Sequence, residues 1–407
     1  MTASQTPTGV APRLAAATGT CPSCNAGGLE TFYVQDNIPV HSVRLMRTRD
    51  EALGFPRGSL RLALCGGCGF ITNTAYDPDP QDYAISYEET QGFSPTFRQW
   101  ADDLAKRWVE RYDLRGKQVL EIGCGKGEFL VSMVEHGIGR GIGIDPSFVP
   151  ERVDSPAGER VSVIRDLYSE RYSHLVGDAV VCRHTLEHID ATGELVRLVR
   201  RSLEGRPDAA VLFELPDVLR VLHEVAFWDI YYEHCSYFTA GSLARLFRSS
   251  GFEILDLTLE FDGQYILIEA RPSDVPQPEP HEAEEDIVHV AEAVRGFVSG
   301  FELTRAHWRQ RLESARADGR RAVIWGGGSK GVAFLTTLGI ADEVEYVVDV
   351  NPYKQGMFMP GTGHEVVGPE FLREYRPDLV IAMNPIYLGE IGESIAALGV
   401  DAELVGA

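Results

Sequence analysis

The pattern that most constrains this fold is an apolar run that ends in a glycine-rich turn and leads into an amphipathic stretch. It occurs twice, as Gln118–Ile122 with the turn 123–127 and as Ala322–Trp325 with the turn 326–331. Alternating strands and helices are typical of a parallel sheet that carries helices on both faces. The sequence therefore predicts an α/β fold with two such domains. Further strands are predicted at 142–145, 179–182, 210–215, 265–270, 346–350 and 379–383.

Two cysteine pairs mark the N-terminal part of the chain. There are seven cysteines in all, and an odd number argues against a disulfide framework. Two CxxC pairs can present four thiolates to Zn²⁺ in a tetrahedron, and a site closed by four cysteines leaves no position open for chemistry. The alternative is four free, buried cysteines. We predict a structural zinc site formed by Cys21, Cys24, Cys65 and Cys68.

The 407 residues suffice for two or three domains. Residues 271–286 combine prolines with acidic side chains and are predicted to be a linker. The apolar spacing that follows predicts a long helix over 287–316. We therefore predict a small N-terminal zinc-binding module (1–80), a central Rossmann-like domain (81–274) and a C-terminal Rossmann-like α/β domain (287–407).

The charge balance disfavours several classes of partner. Lys and Arg total 38 against 60 Asp and Glu, a formal net charge of −22, which would repel nucleic acid and anionic membranes. No apolar run approaches the ~18 residues of a transmembrane helix. Residues 1–20 lack the basic and apolar regions of a signal peptide. We expect a cytoplasmic protein that binds neither nucleic acid nor membrane; the sequence does not indicate an oligomeric state.

The first glycine turn predicts a cofactor site. Glycines allow a ligand to approach the backbone closely, and a carboxylate at the end of the next strand can accept the hydroxyls of an adenosine ribose. The E-x-G-C-G-x-G pattern favours S-adenosylmethionine over NAD, although NAD binding and a ligand-free turn remain alternatives. The predicted cofactor-binding residues are Glu121, Gly123, Gly125, Gly127, Asp145 and Asp166.

Aromatic and ionisable residues are unusually dense over 228–238. Within this segment His234 follows Glu233, and a histidine is suited to remove a carbon-bound proton if a carboxylate orients it. The alternative is an aromatic loop with a hydrogen-bonded histidine. The segment 183–188, which follows a predicted strand, carries His184 and His188 at helical spacing. These two could face a substrate, form part of a second metal site, or be merely solvated.

The second glycine turn satisfies G-x-G-x-x-G, and Asp349 follows 18 residues after Gly331. This pattern is compatible with a dinucleotide site. It could equally hold the phosphates of a sugar nucleotide, with Lys330 as the counter-charge.

Taken in order along the chain, these motifs resemble the S-adenosylmethionine-dependent deoxysugar C-methyltransferases of antibiotic biosynthesis. The resemblance includes the CxxC…CxxC module, the first glycine turn, the Tyr-x-Glu-His segment and the G-x-x-x-K-G turn. The stretch 349–362 is similar to the family's D-x-x-P-x-K-Q-G…P-G-T. The resemblance implies a class I methyltransferase domain in the centre of the chain.

The resemblance also implies roles for individual residues. His234 corresponds to the base that deprotonates carbon beside a ketone, Glu233 and Tyr231 stand in the matching positions of the same segment, and His188 corresponds to a histidine near the substrate. From the chemistry of these side chains we predict that Glu233 orients the base and that Tyr231 or His188 donates to the enolate oxygen. Tyr87 corresponds to an active-site tyrosine. The substrates implied are nucleotide-linked 4-keto-deoxyhexoses. Predicted substrate-binding residues are His184, Tyr232, Lys330 and Lys354.

The chain departs from the family at two of these positions, since Tyr232 stands where His is common and His184 where Asn is common. Transfer to the carbon, oxygen or nitrogen of another small natural product is therefore an alternative within the same fold. An NAD-dependent oxidoreductase and a zinc-ribbon scaffold are the alternatives outside it.

Overall fold

A computed structural model describes residues 15–79, 87–277 and 279–407. The strands are β1 (Ala15–Ala16), β2 (Leu29–Pro39), β3 (Arg57–Cys65), β4 (Ile71–Asn73), β5 (Gln118–Ile122), β6 (Arg140–Ile144), β7 (Val161–Ile164), β8 (Ala179–Arg183), β9 (Ala210–Pro216), β10 (Ser236–Tyr237), β11 (Phe252–Glu260), β12 (Tyr265–Pro272), β13 (Ala322–Trp325), β14 (Tyr346–Val348), β15 (Glu365–Val367), β16 (Leu379–Ala382) and β17 (Glu403–Gly406). The α-helices are α1 (Arg49–Leu53), α2 (Pro95–Arg111), α3 (Glu128–Glu135), α4 (Thr192–Ser202), α5 (Val218–Glu224), α6 (Ala240–Ser249), α7 (Ile287–Ala317), α8 (Ser329–Leu338), α9 (Leu372–Tyr375) and α10 (Leu388–Leu398).

The central sheet has the order β11-β12-β9-β8-β5-β6-β7. Strands β5 to β9 are parallel, whereas β12 and β11 run antiparallel at one side. The strands of such a sheet are apolar throughout because helices cover both faces. The order reverses between β5 and β8, and ligands bind at the carboxyl ends of the strands at such a switch point. The α/β fold predicted from the sequence is confirmed.

The C-terminal sheet repeats the same principle on a smaller scale. Its order is β15-β14-β13-β16-β17, and all of its ladders are parallel. Strand β13 lies in the middle of this sheet and leads directly into the second glycine turn and α8. The two glycine turns thus occupy equivalent positions in two different sheets.

The N-terminal sheet is antiparallel, in the order β1-β2-β3-β4-β10. Its last strand comes from the middle of the chain, since Ser236 pairs with Thr72 and Tyr237 with Ile71. The segment that contains His234 is therefore fixed to the edge of the N-terminal module. The sequence gives no sign of this pairing, because β10 is only 2 residues long.

One apolar core joins the N-terminal and C-terminal sheets, and a second joins the N-terminal and central sheets. Helix α7 buries Phe297 and Phe301, whose rings lie 5.8 and 5.4 Å from the ring of Tyr33 on β2. Farther along the same helix, Trp308 contacts Phe334 of α8 at 5.4 Å between ring centroids. Replacing one such buried aromatic with alanine typically costs about 3–5 kcal/mol. This packing fixes the walls of the cavity described below. Among the described residues, no helix is long and apolar enough to cross a membrane.

Candidate active site

A cavity of about 910 Å³ lies between the central and C-terminal sheets. It is bordered by the carboxyl ends of the central strands, by both glycine turns, by the segment 87–98 and by the region around His234. Small-molecule sites commonly occupy a few hundred to about 1,000 Å³. Twelve of the nineteen predicted site residues line it; the exceptions are Gly127, Tyr232, Glu233 and the four cysteines.

The central glycine turn is shaped for close contact. Gly123, Gly125 and Gly127 have φ values of 70°, 51° and 81°, which lie in the left-handed region. A Cβ on Gly123 would lie 1.9 Å from the Thr185 hydroxyl. Asp145, at the end of β6, accepts hydrogen bonds from the backbone N–H of Gly125 (2.9 Å) and from that of Ser147 (2.7 Å). The turn and the carboxylate predicted to bind a cofactor therefore lie together.

Glu121, on β5 just before this turn, is 2% exposed. One of its oxygens has no hydrogen-bond partner among the described residues, and burial raises the pKa of this carboxyl to about 8. A buried polar atom without a partner is uncommon, and a ligand group can supply that partner. Asp166 lies at the rim, where its carboxylate accepts from the Tyr172 hydroxyl (2.5 Å) and pairs with Arg171 (2.7 Å).

Lys126 has a role that the sequence analysis missed. It is 3% exposed, and its Nζ donates to the carbonyls of Tyr87 (2.8 Å) and Ser147 (2.9 Å). The same nitrogen lies 3.3 Å from Glu89 Oε2. Burial raises the pKa of Glu89 to about 7. This lysine holds the segment 87–89 against the glycine turn, and so places Tyr87 in the cavity wall as predicted.

The predicted base lies among aromatic rings. His234 is 6% exposed, with its ring centroid 4.2 Å from that of Tyr231 and 4.8 Å from that of His188. Burial holds the pKa of His234 well below its usual value, which favours the neutral ring. Burial also raises the pKa of Tyr231 well above its usual value, which keeps the phenol protonated. The structure thus brings together three of the residues predicted for catalysis.

Glu233 does not occupy its predicted place. Its carboxylate accepts a hydrogen bond from the backbone N–H of Ser42 (2.9 Å) and lies 2.9 Å from His41 Nδ1; it also bonds the Ser42 hydroxyl. Burial opposes ionisation, but the hydrogen bonds from His41 and Ser42 and the charge interactions with His41 and His188 together outweigh it and lower the pKa of Glu233. Within the described part of the chain, no hydrogen bond joins Glu233 to His234. The prediction that Glu233 orients the base is therefore corrected: it anchors the N-terminal module behind the base.

Tyr232 is also corrected. It is 2% exposed, and its hydroxyl bonds the backbone of Asp77, with 2.9 Å to N and 3.2 Å to O. Its ring faces Tyr76 and leaves no space for a Cβ on Gly58. Tyr231 lines the cavity, whereas Tyr232, which lies in a turn, packs into the N-terminal module and does not line it.

His184 lies in a buried charge cluster. Its Nε2 is 2.6 Å from Glu214 Oε1, and Arg183 Nε donates to the other oxygen of Glu214 at 2.5 Å. Although burial opposes the charged ring, the carboxylates raise the pKa of His184 to about 9, and its partners lower that of Glu214 to about 2. His184 has φ 47°, and only Leu186–His188 forms a single 3₁₀ turn. The helical spacing proposed for a metal site of His184 and His188 is therefore wrong.

The two predicted substrate lysines both have carboxylate partners. Lys330 Nζ lies 3.0 Å from Asp229 and 3.3 Å from Gln264. Lys354 Nζ lies 3.3 Å from Asp349, which also accepts from the backbone N–H of Gly327. Both lysines line the cavity, but neither presents an unpaired charge to it.

The four N-terminal cysteines converge as predicted. The Sγ atoms of Cys21 and Cys68 are 3.7 Å apart, as are those of Cys24 and Cys65, and all four lie within 4.8 Å of one another. Zn–S bonds of about 2.3 Å in a tetrahedron place sulfurs roughly 3.8 Å apart. The donor set therefore fits zinc. The cluster is not part of the cavity.

Comparisons with known proteins give two family matches within the chain. Residues 93–257 match the family described as "Methyltransferase domain", and residues 272–401 match that described as "C-methyltransferase C-terminal domain". The C-methyltransferase NovU of Streptomyces niveus is 28% identical over 364 residues, or 85% of each chain.

Two solved structures are similar to part of the chain. The dimethyltransferase RosA of Streptomyces davawensis covers 44% of this chain and 55% of its own, at 21% identity and a TM-score of 0.35. Magnesium protoporphyrin IX methyltransferase (ChlM) of Synechocystis PCC 6803 covers 44% and 84%, at 17% identity and a TM-score of 0.34. With a methyltransferase domain at residues 93–257 and a match to the C-terminal domain of C-methyltransferases at residues 272–401, the protein is an S-adenosylmethionine-dependent methyltransferase.

Proposed function

We propose that this enzyme methylates the carbon beside the ketone of a nucleotide-linked keto-deoxysugar, through an enolate that His234 generates. The observation that carries the proposal is the packing of His234 against Tyr231 and His188 in the cavity that also contains the glycine turn. The relative NovU, which is a C-methyltransferase by name, supports carbon as the acceptor atom.

The central turn supplies the residues for the methyl donor. Gly123 and Gly125 line the cavity with left-handed backbone, Asp145 offers carboxylate oxygens at the end of β6, and Glu121 has an oxygen without a partner among the described residues. Asp166 borders the same part of the cavity. When bound, S-adenosylmethionine supplies an electrophilic methyl group. Carboxylates beside its site suit a ligand that carries positive charge.

His234 is the base in this proposal. A C–H beside a ketone is a weak acid, so its removal needs a base in contact with it and donors that stabilise the growing charge on oxygen. His234 is buried at the cavity wall and takes the proton on a ring nitrogen. The Tyr231 hydroxyl, next to it, donates to the enolate oxygen, and His188 flanks the same position.

The C-terminal wall is where we place the nucleotide. The turn 326–331 and the side chains of Lys330 and Lys354 face the cavity opposite the central turn. Each lysine also has a carboxylate partner, Asp229 or Asp349. The two lysines thereby reduce the local negative charge that the phosphates of a sugar nucleotide would meet, in a chain of net charge −22.

The test is solvent deuterium exchange into a nucleotide-linked 4-keto-deoxysugar without methyl donor. Wild-type enzyme should catalyse exchange at the carbon beside the ketone, and His234→Asn should lower the rate on the order of 100-fold or more. His289→Asn, an exposed histidine outside the cavity, is the matched control and should exchange normally. Exchange that persists in His234→Asn would remove His234 as the base, and NMR of the methylated product locates the new carbon–carbon bond.

We also propose that the four N-terminal cysteines hold a structural zinc ion. Cys65→Ser should reduce the zinc content by about one ion per chain, measured by plasma mass spectrometry, and should lower the thermal stability of the module. Cys182→Ser is the control, because Cys182 is buried in β8, away from the cluster. An unchanged zinc content in Cys65→Ser would contradict the proposal.

A further inference from the structure

A second group of metal-ligating side chains lies inside the cavity. Glu187, His188 and His234 each offer one donor atom, and these three atoms lie within 4.8 Å of one another. The imidazole planes of His188 and His234 are perpendicular, with centroids 4.8 Å apart. All three residues line the cavity. This donor set differs from the His184 and His188 pair that the sequence suggested.

Glu187 supplies an independent sign of a missing ligand. The residue is 2% exposed, and its Oε1 lies 3.6 Å from His184 Nδ1. Its Oε2 is buried and has no hydrogen-bond partner among the described residues. Leaving a buried carboxylate oxygen unpaired costs free energy, which a bound cation would offset.

The backbone holds the two halves of this group side by side. Glu187 and His188 belong to the 3₁₀ turn after β8, and His234 precedes β10. Ser236 Oγ donates to the carbonyl of Ile189 at 2.7 Å, and Cys235 Sγ donates to the carbonyl of Glu187 at 3.7 Å. Pairing of β10 with the N-terminal sheet secures one side. The donors therefore sit on anchored backbone, which favours binding because little ordering is needed.

We infer that Glu187, His188 and His234 form a second metal site, which takes one divalent transition-metal ion such as Zn²⁺, Co²⁺ or Ni²⁺. Two imidazoles and one carboxylate suit these ions, and three protein ligands leave coordination positions open toward the cavity. The N-terminal cysteine cluster, in contrast, is closed by four thiolates. The two sites should thus differ in the visible absorption of bound Co²⁺ and in how easily their metal ions exchange.

The site has a consequence for catalysis that rests on the proposed function. A ring nitrogen of His234 that binds a metal ion cannot accept a proton at the same time. Metal at this site and deprotonation by His234 therefore exclude each other, so the ion inhibits the enzyme. The binding itself does not depend on the identity of the methyl acceptor.

The experiment titrates Co²⁺ into enzyme that holds one Zn²⁺ per chain, at the cysteine cluster, without substrate, and follows both visible d–d absorption and calorimetric heat. We expect one Co²⁺ per chain, without loss of zinc from the cysteine cluster and without a thiolate-to-cobalt band. Glu187→Gln and His188→Asn should each weaken binding on the order of tenfold or more. His289→Asn should bind as wild type does, although His289 also packs against a second histidine, His223, at 5.4 Å between ring centroids.

The metal site would be overturned if the wild-type enzyme did not bind Co²⁺, or if Glu187→Gln and His188→Asn bound Co²⁺ with the affinity of the wild type. Circular dichroism checks that each variant is folded, and either variant alone suffices for the test. The deuterium-exchange assay then separates the two proposals. Exchange that occurs in metal-free solution while Co²⁺ does not bind refutes the site and leaves the function intact. Binding without inhibition of exchange refutes the role of His234 as base and leaves the site intact.

Discussion

The cavity has two walls that use the same local device. In each, a glycine turn follows a middle strand of its sheet, and an aspartate ends the next strand. Asp145 accepts from Gly125 N at 2.9 Å, and Asp349 accepts from Gly327 N at 2.8 Å. Each aspartate also caps the backbone two residues farther on, at 2.7 and 2.8 Å. A backbone pattern this similar shows that the turn alone does not define the ligand.

The walls differ in charge. Lys354 Nζ lies 3.3 Å from Asp349, whereas Asp145 receives only backbone hydrogen bonds from the described residues. Glu121, with its unpartnered oxygen, stands on the strand before the central turn, and Ile324 occupies the equivalent position on β13. The aspartate of the C-terminal turn therefore has a lysine partner, whereas that of the central turn does not. This difference lies in the side chains around the turns and not in their glycines.

The largest expected effect distinguishes the glycines of the two turns. In Gly123→Ala, the new Cβ would lie 1.9 Å from Thr185 Oγ1 at a φ of 70°, so the turn must shift. We expect binding of S-adenosylhomocysteine to weaken on the order of 100-fold, measured by calorimetry.

Gly328→Ala is the control change in the other turn, at the position that corresponds to Gly125. Gly328 has an extended φ of −123°, and the nearest atom to an added Cβ is Lys354 Nζ at 3.8 Å. We expect S-adenosylhomocysteine binding and thermal stability close to wild type. Equal losses in both variants would contradict the distinction between the turns.

A smaller effect compares the lysines of the two turns, Lys126 and Lys330. Lys126→Met removes the donor to two buried carbonyls and the partner of Glu89, so we expect the free energy of unfolding to fall by about 3 kcal/mol. Lys330→Met should lower the free energy of unfolding by only about 1 kcal/mol. Asp229, the carboxylate partner of Lys330, still has Arg220 at 2.6 Å as a second partner. Urea unfolding of both variants measures the difference, and a greater loss in Lys330→Met would reverse the assignment.

Much of the site could be predicted from the sequence because the signals are local. The glycine turns, Asp145, the cysteine pairs and the cluster around His234 each lie within a short stretch or at a spacing that a strand–helix–strand unit fixes. The central turn and its aspartate came together because the parallel pairing of β5 and β6 requires it.

The rest depends on contacts between distant parts of the chain. Glu233 was expected to pair with its neighbour, but its partners His41 and Ser42 lie more than 190 residues away. Tyr231 and Tyr232 are adjacent and equally aromatic, yet Tyr231 lines the cavity while the hydroxyl of Tyr232 bonds the backbone of Asp77, 155 residues away. The left-handed φ of His184 likewise broke the helical spacing on which the first metal hypothesis depended.

The smallest expected effect is a pH dependence of the free energy of unfolding that comes from Glu89, beside the central turn. Burial raises the pKa of Glu89 to about 7 from 4.5, so the folded state holds this proton more tightly than the unfolded state. Its contribution to stability is therefore fully present below pH 4.5 and is lost as the pH rises through about 7. Because the side chain is 28% exposed and Lys126 is close, we expect a loss of about 1 kcal/mol.

Glu89→Gln, which keeps the shape but cannot ionise, should be more stable than wild type at pH 8 and equal to it at pH 4.5. Thermal unfolding across this range measures the difference, and Glu393→Gln on the exposed face of α10 should show none. A lower stability of Glu89→Gln than of wild type at pH 8 would contradict this prediction. The ion pair between Glu89 and Lys126 would then stabilise the fold by more than burial of the carboxylate destabilises it.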